Sequence, residues 1–281
     1  MEQRPFGSTG VSVPVIGEGT WNMERGSRSE CVAAIRRALD IGVTHIDTAE
    51  MYGSGRVEEI VGEALTVRRN EAFLVSKVLP SHASYDGTLK ACEASLRRLR
   101  TDHLDCYLLH WPSHEPLEET IRAFEALRKA GKIRSYGVSN FDEKDLAKAV
   151  RLAGPHRIAC NQVLYHLEER AIEHAVIPAC EQHGVAVVAY SPFGSGNFPS
   201  ARSAGGKVLS DIASAHGVTP HAIALRFLLR LPSMFAIPKA ADPNHVDANA
   251  RAGDLRLSEA ELARIDAAFP LGRPRAGIPT L

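Results

Sequence analysis

The feature that most constrains this chain is a beat. Apolar runs of strand length alternate with segments of helical period over about 250 of its 281 residues. After a short N-terminal hairpin pattern, RPFGSTGVSVPVI, eight strand candidates follow: VPVIGEG (13–19), THID (44–47), AFLVSKV (72–78), HLDCYLLH (103–110), KIRSYGVSN (132–140), RIACNQV (157–163), GVAVVAYS (184–191) and MFAIPK (234–239). Between them lie helical faces. Val32, Ile35 and Leu39 share one; Val57, Ile60, Val61, Ala64 and Leu65 a second; Leu89, Cys92, Leu96 and Leu99 a third; Leu117, Ile121, Phe124 and Leu127 a fourth. Further helices are predicted near 142–150, before each of the last two strands, and around 244–251 and 258–268.

Parallel strands need crossover helices, so eight strand–helix units predict a closed (β/α)8 barrel with a short N-terminal hairpin, one domain spanning 1–281. A doubly wound sheet would want a glycine fingerprint at its first strand–helix turn. Gly17-Glu18-Gly19 and Gly53-Ser54-Gly55 both lack the third glycine. The GGKV stretch at Lys207 is no phosphate loop, because Val208 replaces the hydroxyl residue and Ala201 stands where the first glycine belongs. The Gly/Ser-rich stretch from Gly194 to Gly206 is expected to be a flexible active-site loop.

Charge narrows the function. Thirty-three basic residues balance 33 acidic ones, which gives no electrostatic footprint for nucleic acid or an acidic membrane surface. No targeting segment or membrane-length apolar run is visible, and five scattered cysteines without a C-x-x-C pair read as reduced core thiols in a cytoplasmic protein.

In such a barrel the chemistry sits where strands end. The second strand ends at Asp47 and runs into Tyr52, the third reaches Lys77, the fourth His110, the fifth Ser139 and Asn140, the sixth Gln162, the seventh Tyr190 and Ser191, and the eighth Lys239. Each has a plain structural reading: Asp47 as a helix cap, Tyr52 as a loop aromatic, His110 as a satisfied buried histidine. The lysines are harder to dismiss in a chain with 25 arginines and only 8 lysines, since both close apolar strands where an unpaired charge is costly. His103, Cys106, His110 and His114 look like a metal-ligand series, but on a strand His103 and His110 lie roughly 23 Å apart. A G-x-S-x-G hydrolase elbow is absent. What remains suits carbonyl reduction. Tyr52 is the candidate proton donor, Lys77 an ammonium that lowers the phenol's pKa toward physiological pH, Asp47 the partner keeping Lys77 charged, and His110 a hydrogen-bond donor to the carbonyl oxygen.

The segments HIDTAEMYG (45–53), SK (76–77), YLLHWP (107–112), GKIRSYGVSNF (131–141), NQV (161–163), AYSPFG (189–194) and IPK (237–239) make the chain resemble the aldo-keto reductases over nearly its whole length. The resemblance implies Asp47, Tyr52, Lys77 and His110 as a catalytic tetrad without metal, and NADPH bound across the rim with no Rossmann domain. It implies Ser139, Asn140 and Gln162 at the nicotinamide amide, Tyr190 stacked on the ring, Ser191 and Phe193 at the pyrophosphate, Thr20 nearby, and Lys239 and Asn249 at the adenosine end.

Three positions there depart from the family pattern: Ala240 for serine, Ala248 for glutamate, and His245 for the arginine that often binds the 2′-phosphate, so NADH remains an alternative cofactor. Trp21, Met51 and Trp111 are candidate walls of an apolar substrate pocket. The tail after Phe269, PLGRPRAGIPTL, is shorter than the family's usual C-terminal segment and suggests an open site. Closest in character are bacterial members that reduce small aldehydes and ketoaldehydes such as methylglyoxal. The competing reading is a catalytically slow, NADP(H)-sensing protein on the same barrel.

Overall fold

A computed structural model describes residues 1–274 and 277–281; Arg275 and Ala276, within the tail considered above, lie outside the described residues. Two antiparallel strands, β1 (Gln3–Pro5) and β2 (Ser12–Pro14), precede β3 (Glu18–Gly19), and then the beat begins. It runs α1 (Arg28–Asp40), β4 (His45–Asp47), α2 (Arg56–Ala64), β5 (Phe73–Val78), α3 (Tyr85–Leu99), β6 (Leu104–Leu109), α4 (Leu117–Lys129), β7 (Ile133–Ser139) and α5 (Glu143–Ala153). It continues through β8 (Ile158–Leu164), α6 (Val176–Gln182), β9 (Ala186–Tyr190), α7 (Ala204–His216), α8 (Pro220–Leu228), β10 (Met234–Ala236), α9 (Pro243–Ala250) and α10 (Glu259–Ala268). Seven of these helices open on a side chain that accepts a first-turn backbone N–H: Ser27, Ser84, Asp142, Ser203, Thr219, Asp242 and Ser258. Each such cap contributes about 1 kcal/mol and marks where its helix starts.

Strands β3 to β10 pair in chain order, all parallel, and the sheet closes on itself. Closure is made by single bridges, Ile16 to Ala236 and Gly19 to Lys239, with Gly17 N–H donating to the Ala236 carbonyl at 2.8 Å. The alternation therefore predicts the barrel correctly, while its first and last strands are shorter than expected. The run 13–19 is divided, because the hairpin takes Ser12–Pro14 and leaves the barrel only Glu18–Gly19 and the Ile16 bridge. The last strand stops at Ala236, ahead of Pro238, which has no N–H to extend a ladder.

Alternation along each strand sends one set of side chains to the helices and the other to the axis. On β5, Leu74 and Val78 pack outward in the strand–helix layer, while Phe73 and Val75 belong to the axial cluster and Lys77 continues their face. The hairpin closes the barrel's floor. Phe6, fully buried, lies 4.8 Å from the Phe73 ring and 5.1 Å from that of Phe235, and Arg4 donates to the carbonyls of Leu229, Leu231 and Met234.

The 194–206 stretch differs from expectation. Its last residues start α7, where Gly205 and Gly206 are buried and a Cβ on Gly206 would sit 1.9 Å from the Ser200 carbonyl oxygen. Among the described residues none of 194–206 lines the main cavity.

His45 stands on the axis between Phe6 and Asp47. It is fully buried, and neither ring nitrogen has a hydrogen-bond partner among the described residues. Burial pushes its pKa down to about 4, against the pull of Asp47 and with the help of Lys77. Between about pH 6.5 and 4 the unfolded chain binds a proton here that the folded chain does not. Stability must therefore fall as pH is lowered through this window, at up to about 1.4 kcal/mol per pH unit from this side chain. Urea titrations at pH 6.5, 5.5 and 4.5 should show a steeper loss for the wild type than for His45→Phe. Equal slopes would mean that His45 does not titrate on unfolding in this range.

Candidate active site

A cavity of about 750 Å³ opens at the C-terminal ends of the strands. Tyr52, His110, Gln162 and Tyr190 line it, with Trp21, Met51 and Trp111 half out in solvent at its mouth. Lys77 lies beneath, 0% exposed. An ammonium has three hydrogens to place, and here all three are accounted for. Lys77 Nζ donates to Asp47 Oδ1 at 2.5 Å, to the Thr48 carbonyl at 2.8 Å and to Tyr52 Oη at a longer 3.4 Å. The other oxygen of Asp47, Oδ2, accepts from Gln162 Nε2 at 2.7 Å, and Thr20 Oγ1 donates to the Asp47 carbonyl at 2.8 Å. One carboxylate thus ties β4, β5 and β8 together under the cavity floor.

Burial alone would lower the Lys77 pKa, but Asp47 and Tyr52 outweigh it and leave the ammonium more strongly protonated than an ordinary lysine. The phenol balances the other way. Burial raises the Tyr52 pKa by more than Lys77 lowers it, so the net shift is upward from the usual tyrosine value rather than toward physiological pH as the sequence suggests. Tyr52 is held as a protonated phenol. His110 is buried as well, with its pKa pushed down to about 2 by burial and by Lys77, so its imidazole is neutral. Its Nδ1 has no partner among the described residues, and its ring meets that of Tyr52 edge to face at 5.8 Å.

The rim holds strained backbone. Asn140 (φ 59°) and Ser191 (φ 48°), immediately after β7 and β9, lie in the left-handed region that non-glycine residues seldom occupy, and both line the cavity. Asn140 is fixed there: its Nδ2 donates to the His110 carbonyl and to Ser139 Oγ, and its Oδ1 accepts from Tyr190 Oη at 2.9 Å. Ser139 Oγ in turn donates to the Gln162 carbonyl.

Of the sequence-predicted residues, Thr20, Trp21, Asp47, Met51, Tyr52, His110, Trp111, Ser139, Asn140, Gln162, Tyr190, Ser191 and Lys239 all line one cavity, with Lys77 directly below. Phe193, His245 and Asn249 do not line it. Phe193 packs against Phe198 and His221, His245 is exposed on α9, and Asn249 is buried one turn further along that helix. Lys239 is exposed, so the cost of burying a charge applies to Lys77 alone. Among the described residues no group of three or more His, Cys, Asp or Glu side chains is placed to hold a metal ion, and no helix is long and apolar enough to cross a membrane.

Sequence reading misses Asp142 and Asp145, which reach the wall from the start of α5, and Glu18, whose buried carboxyl is raised by desolvation while accepting from Ala240 N–H. The tail is the larger correction. Gly277, Ile278, Thr280 and Leu281 line the cavity, so the short segment narrows the site that its length suggested would be open. No local pattern announces this, because the contact is made by a stretch without helical or strand period.

A parallel barrel with a buried lysine–carboxylate pair under a phenol and an imidazole is the architecture of a cofactor-dependent carbonyl oxidoreductase. The aldo/keto reductase family model matches residues 15–269, and the chain belongs to that family. It is 43% identical over 281 residues to the methylglyoxal reductase YeaE of Escherichia coli (strain K12), covering 99% of each chain. The glyoxal reductase of Bacillus subtilis (strain 168) is 34% identical over 261 residues, 92% of this chain and 90% of that one. An aldo/keto reductase from Klebsiella pneumoniae, crystallised with NADP and acetate, superposes with a TM-score of 0.93 at 42% identity, covering all of both chains.

If the tail is a working wall, trimming it changes substrate binding more than chemistry. Ile278→Gly together with Leu281→Gly should raise KM for a small aldehyde roughly fivefold, the scale of about 1 kcal/mol of lost apolar contact, with kcat within about twofold. Steady-state kinetics test this; an unchanged KM would mean the tail leaves the cavity when substrate enters.

Proposed function

We propose that this chain is an NADPH-dependent reductase of small aldehydes and ketones, methylglyoxal-type ketoaldehydes among them, with Tyr52 as the proton donor. One observation carries the reading. Tyr52 Oη accepts a hydrogen bond from Lys77, whose other two hydrogens are committed to Asp47 and Thr48, so the phenol's own proton is left to be given into the cavity. Burial keeps that proton on the phenol until a substrate oxygen draws it.

NADPH, when bound, supplies the hydride. The remaining work is done by this chain. Lys77, held charged by Asp47, stabilises the phenolate left when Tyr52 Oη gives up its proton. Neutral His110 has one N–H to offer; with Nδ1 turned into protein, Nε2 is the atom suited to orient the carbonyl oxygen beside Tyr52. Trp21, Met51 and Trp111 supply apolar surface for a small substrate, in keeping with the small dicarbonyl substrates in the names of two relatives.

Ser139, Asn140, Gln162, Tyr190 and Ser191 form one continuous wall suited to the nicotinamide half, with Thr20 facing them. Lys239, His245 and Asn249 would serve the adenosine half. His245 and Asn249 are spaced to share a face of α9, and Lys239 is the cation that lines the cavity among the described residues. A histidine lacks arginine's planar fork of donors for the 2′-phosphate, so some use of NADH is part of the proposal. Balanced charge supports a small-molecule partner over nucleic acid or a membrane surface, and five free, buried cysteines support a reducing, cytoplasmic setting.

Tyr52→Phe tests the assignment. Methylglyoxal reduction followed by NADPH oxidation should lose at least about 100-fold in kcat, the scale of a lost general acid, while NADPH affinity by fluorescence titration changes little. Near-wild-type turnover in the variant would overturn the proton-donor reading. A wild-type chain that binds NADPH yet turns over no carbonyl would instead support the cofactor-sensing alternative.

A further inference from the structure

Behind the site lies a charged group that the mechanism above does not use. Glu58, in the first turn of α2, is 0% exposed. Its Oε1 accepts from Ser76 Oγ at 2.6 Å and its Oε2 from Arg98 Nε at 2.6 Å. Burying a carboxylate with an arginine is weak evidence for stability, since well-packed apolar residues of the same volume usually serve as well. The placement of the three residues is more informative. Ser76 is the neighbour of Lys77 on β5. Glu58 follows Tyr52 by six residues, and the intervening turn, Tyr52–Gly55, runs directly into α2.

That turn is held by short-range bonds, Tyr52 N–H to the Ala49 carbonyl, Ser54 N–H to the Met51 carbonyl and Arg56 Nε to the Gly53 carbonyl, and by packing against other elements. Gly53 (φ 56°), Ser54 (φ 53°) and Gly55 (φ 92°) are all left-handed, a run that costs conformational entropy. Arg98 reaches across from α3 and lies flat on it: a Cβ added at Gly55 would sit 2.7 Å from Arg98 Cδ and 2.8 Å from Nε. The helices approach closely enough for this because position 62 is glycine, where a Cβ would be 2.6 Å from the Arg98 carbonyl oxygen.

We propose that Glu58 is a positioning residue for carbonyl reduction: bonded to Ser76 and Arg98, it fixes the turn carrying Tyr52 against the strand carrying Lys77, and so sets the distance from Tyr52 Oη to Lys77 Nζ. The inference rests on Tyr52 being the proton donor. Lys77 is the group that offsets the desolvation of the phenol, and its effect falls with distance. Slack beyond the present 3.4 Å weakens that offset and moves the phenol's pKa further up. A less acidic phenol is a poorer donor in reduction, and it stays protonated to higher pH.

The experiment is the pH profile of kcat for methylglyoxal reduction with NADPH, in Glu58→Gln, Arg98→Met, Arg98→Lys and Ser76→Ala, with thermal melts and NADPH affinity alongside. Glu58→Gln and Arg98→Met should lower kcat about 5- to 20-fold and move the alkaline limb up by 0.5 to 1 unit, with NADPH affinity unchanged; Arg98→Lys should recover part of both. If the two disruptive variants do not fold, Ser76→Ala and Arg98→Lys must show the same upward movement at smaller size. Lower melting temperatures with an unmoved limb would overturn the proposal and leave the pair purely structural. Tyr52→Phe, run beside them, separates the two readings: if it retains turnover, the donor assignment itself fails, whereas its inactivity with unmoved limbs in the others counts against Glu58 alone.

Discussion

Everything at this site depends on a charge that has been taken out of water. Lys77 is completely enclosed, and an enclosed ammonium without a counter-charge would either lose its proton or unfold the barrel. Asp47 prevents both, and in doing so it dictates the local architecture. Its carboxylate must also be satisfied, which brings Gln162 in from the far side of the barrel, and Thr48 must turn its carbonyl inward to take the lysine's second hydrogen. Only then is the third hydrogen available to Tyr52. The phenol is therefore the last link of a chain of obligations that begins with burial, and its distance from Lys77 is the quantity the surrounding structure controls.

The axis of the barrel repeats the theme in weaker form. His45, Asp47, Lys77 and Gln162 make a polar column standing on the aromatic floor formed by Phe6, Phe73 and Phe235. A filled barrel normally prefers branched apolar layers. Here the column confines charge to the top, where the cavity is, and keeps two histidines neutral, His45 by burial and His110 by burial beside Lys77. A neutral imidazole still offers one N–H to a carbonyl oxygen, and among the described residues Lys77 is the one positive charge beneath Tyr52.

Much of this is legible from the residues in order. Strand ends can be read because alternation stops abruptly at a polar residue, and nine such candidates fall on one cavity. Lys77 stands out because Ser76 and Lys77 interrupt an otherwise apolar run. What escapes has physical reasons. The first strand reads too long because Pro14 and Val15 suit both a hairpin and a barrel strand, and only the geometry of closure divides them. Lys239 reads in sequence as a strand end much as Lys77 does, yet its backbone bridges to Gly19 while its side chain is exposed to solvent. The tail carries no period, so its return to the cavity rests on contacts made far from it in sequence. Glu58 reads as an ordinary first-turn acid, since its partners lie 18 and 40 residues away.

The central claim is that Asp47 and Lys77 act as one unit whose halves cannot be removed separately. The most direct measurement is a double-mutant cycle in folding stability: Asp47→Asn, Lys77→Met and the two combined, each by urea denaturation at pH 7. Removing one partner of a buried pair strands the other, so each single variant should lose about 3–5 kcal/mol. The double variant, with no charge left enclosed, should lose at least about 2 kcal/mol less than the sum of the two. Losses that add to within about 0.5 kcal/mol would contradict the account, because the two side chains would then be acting independently.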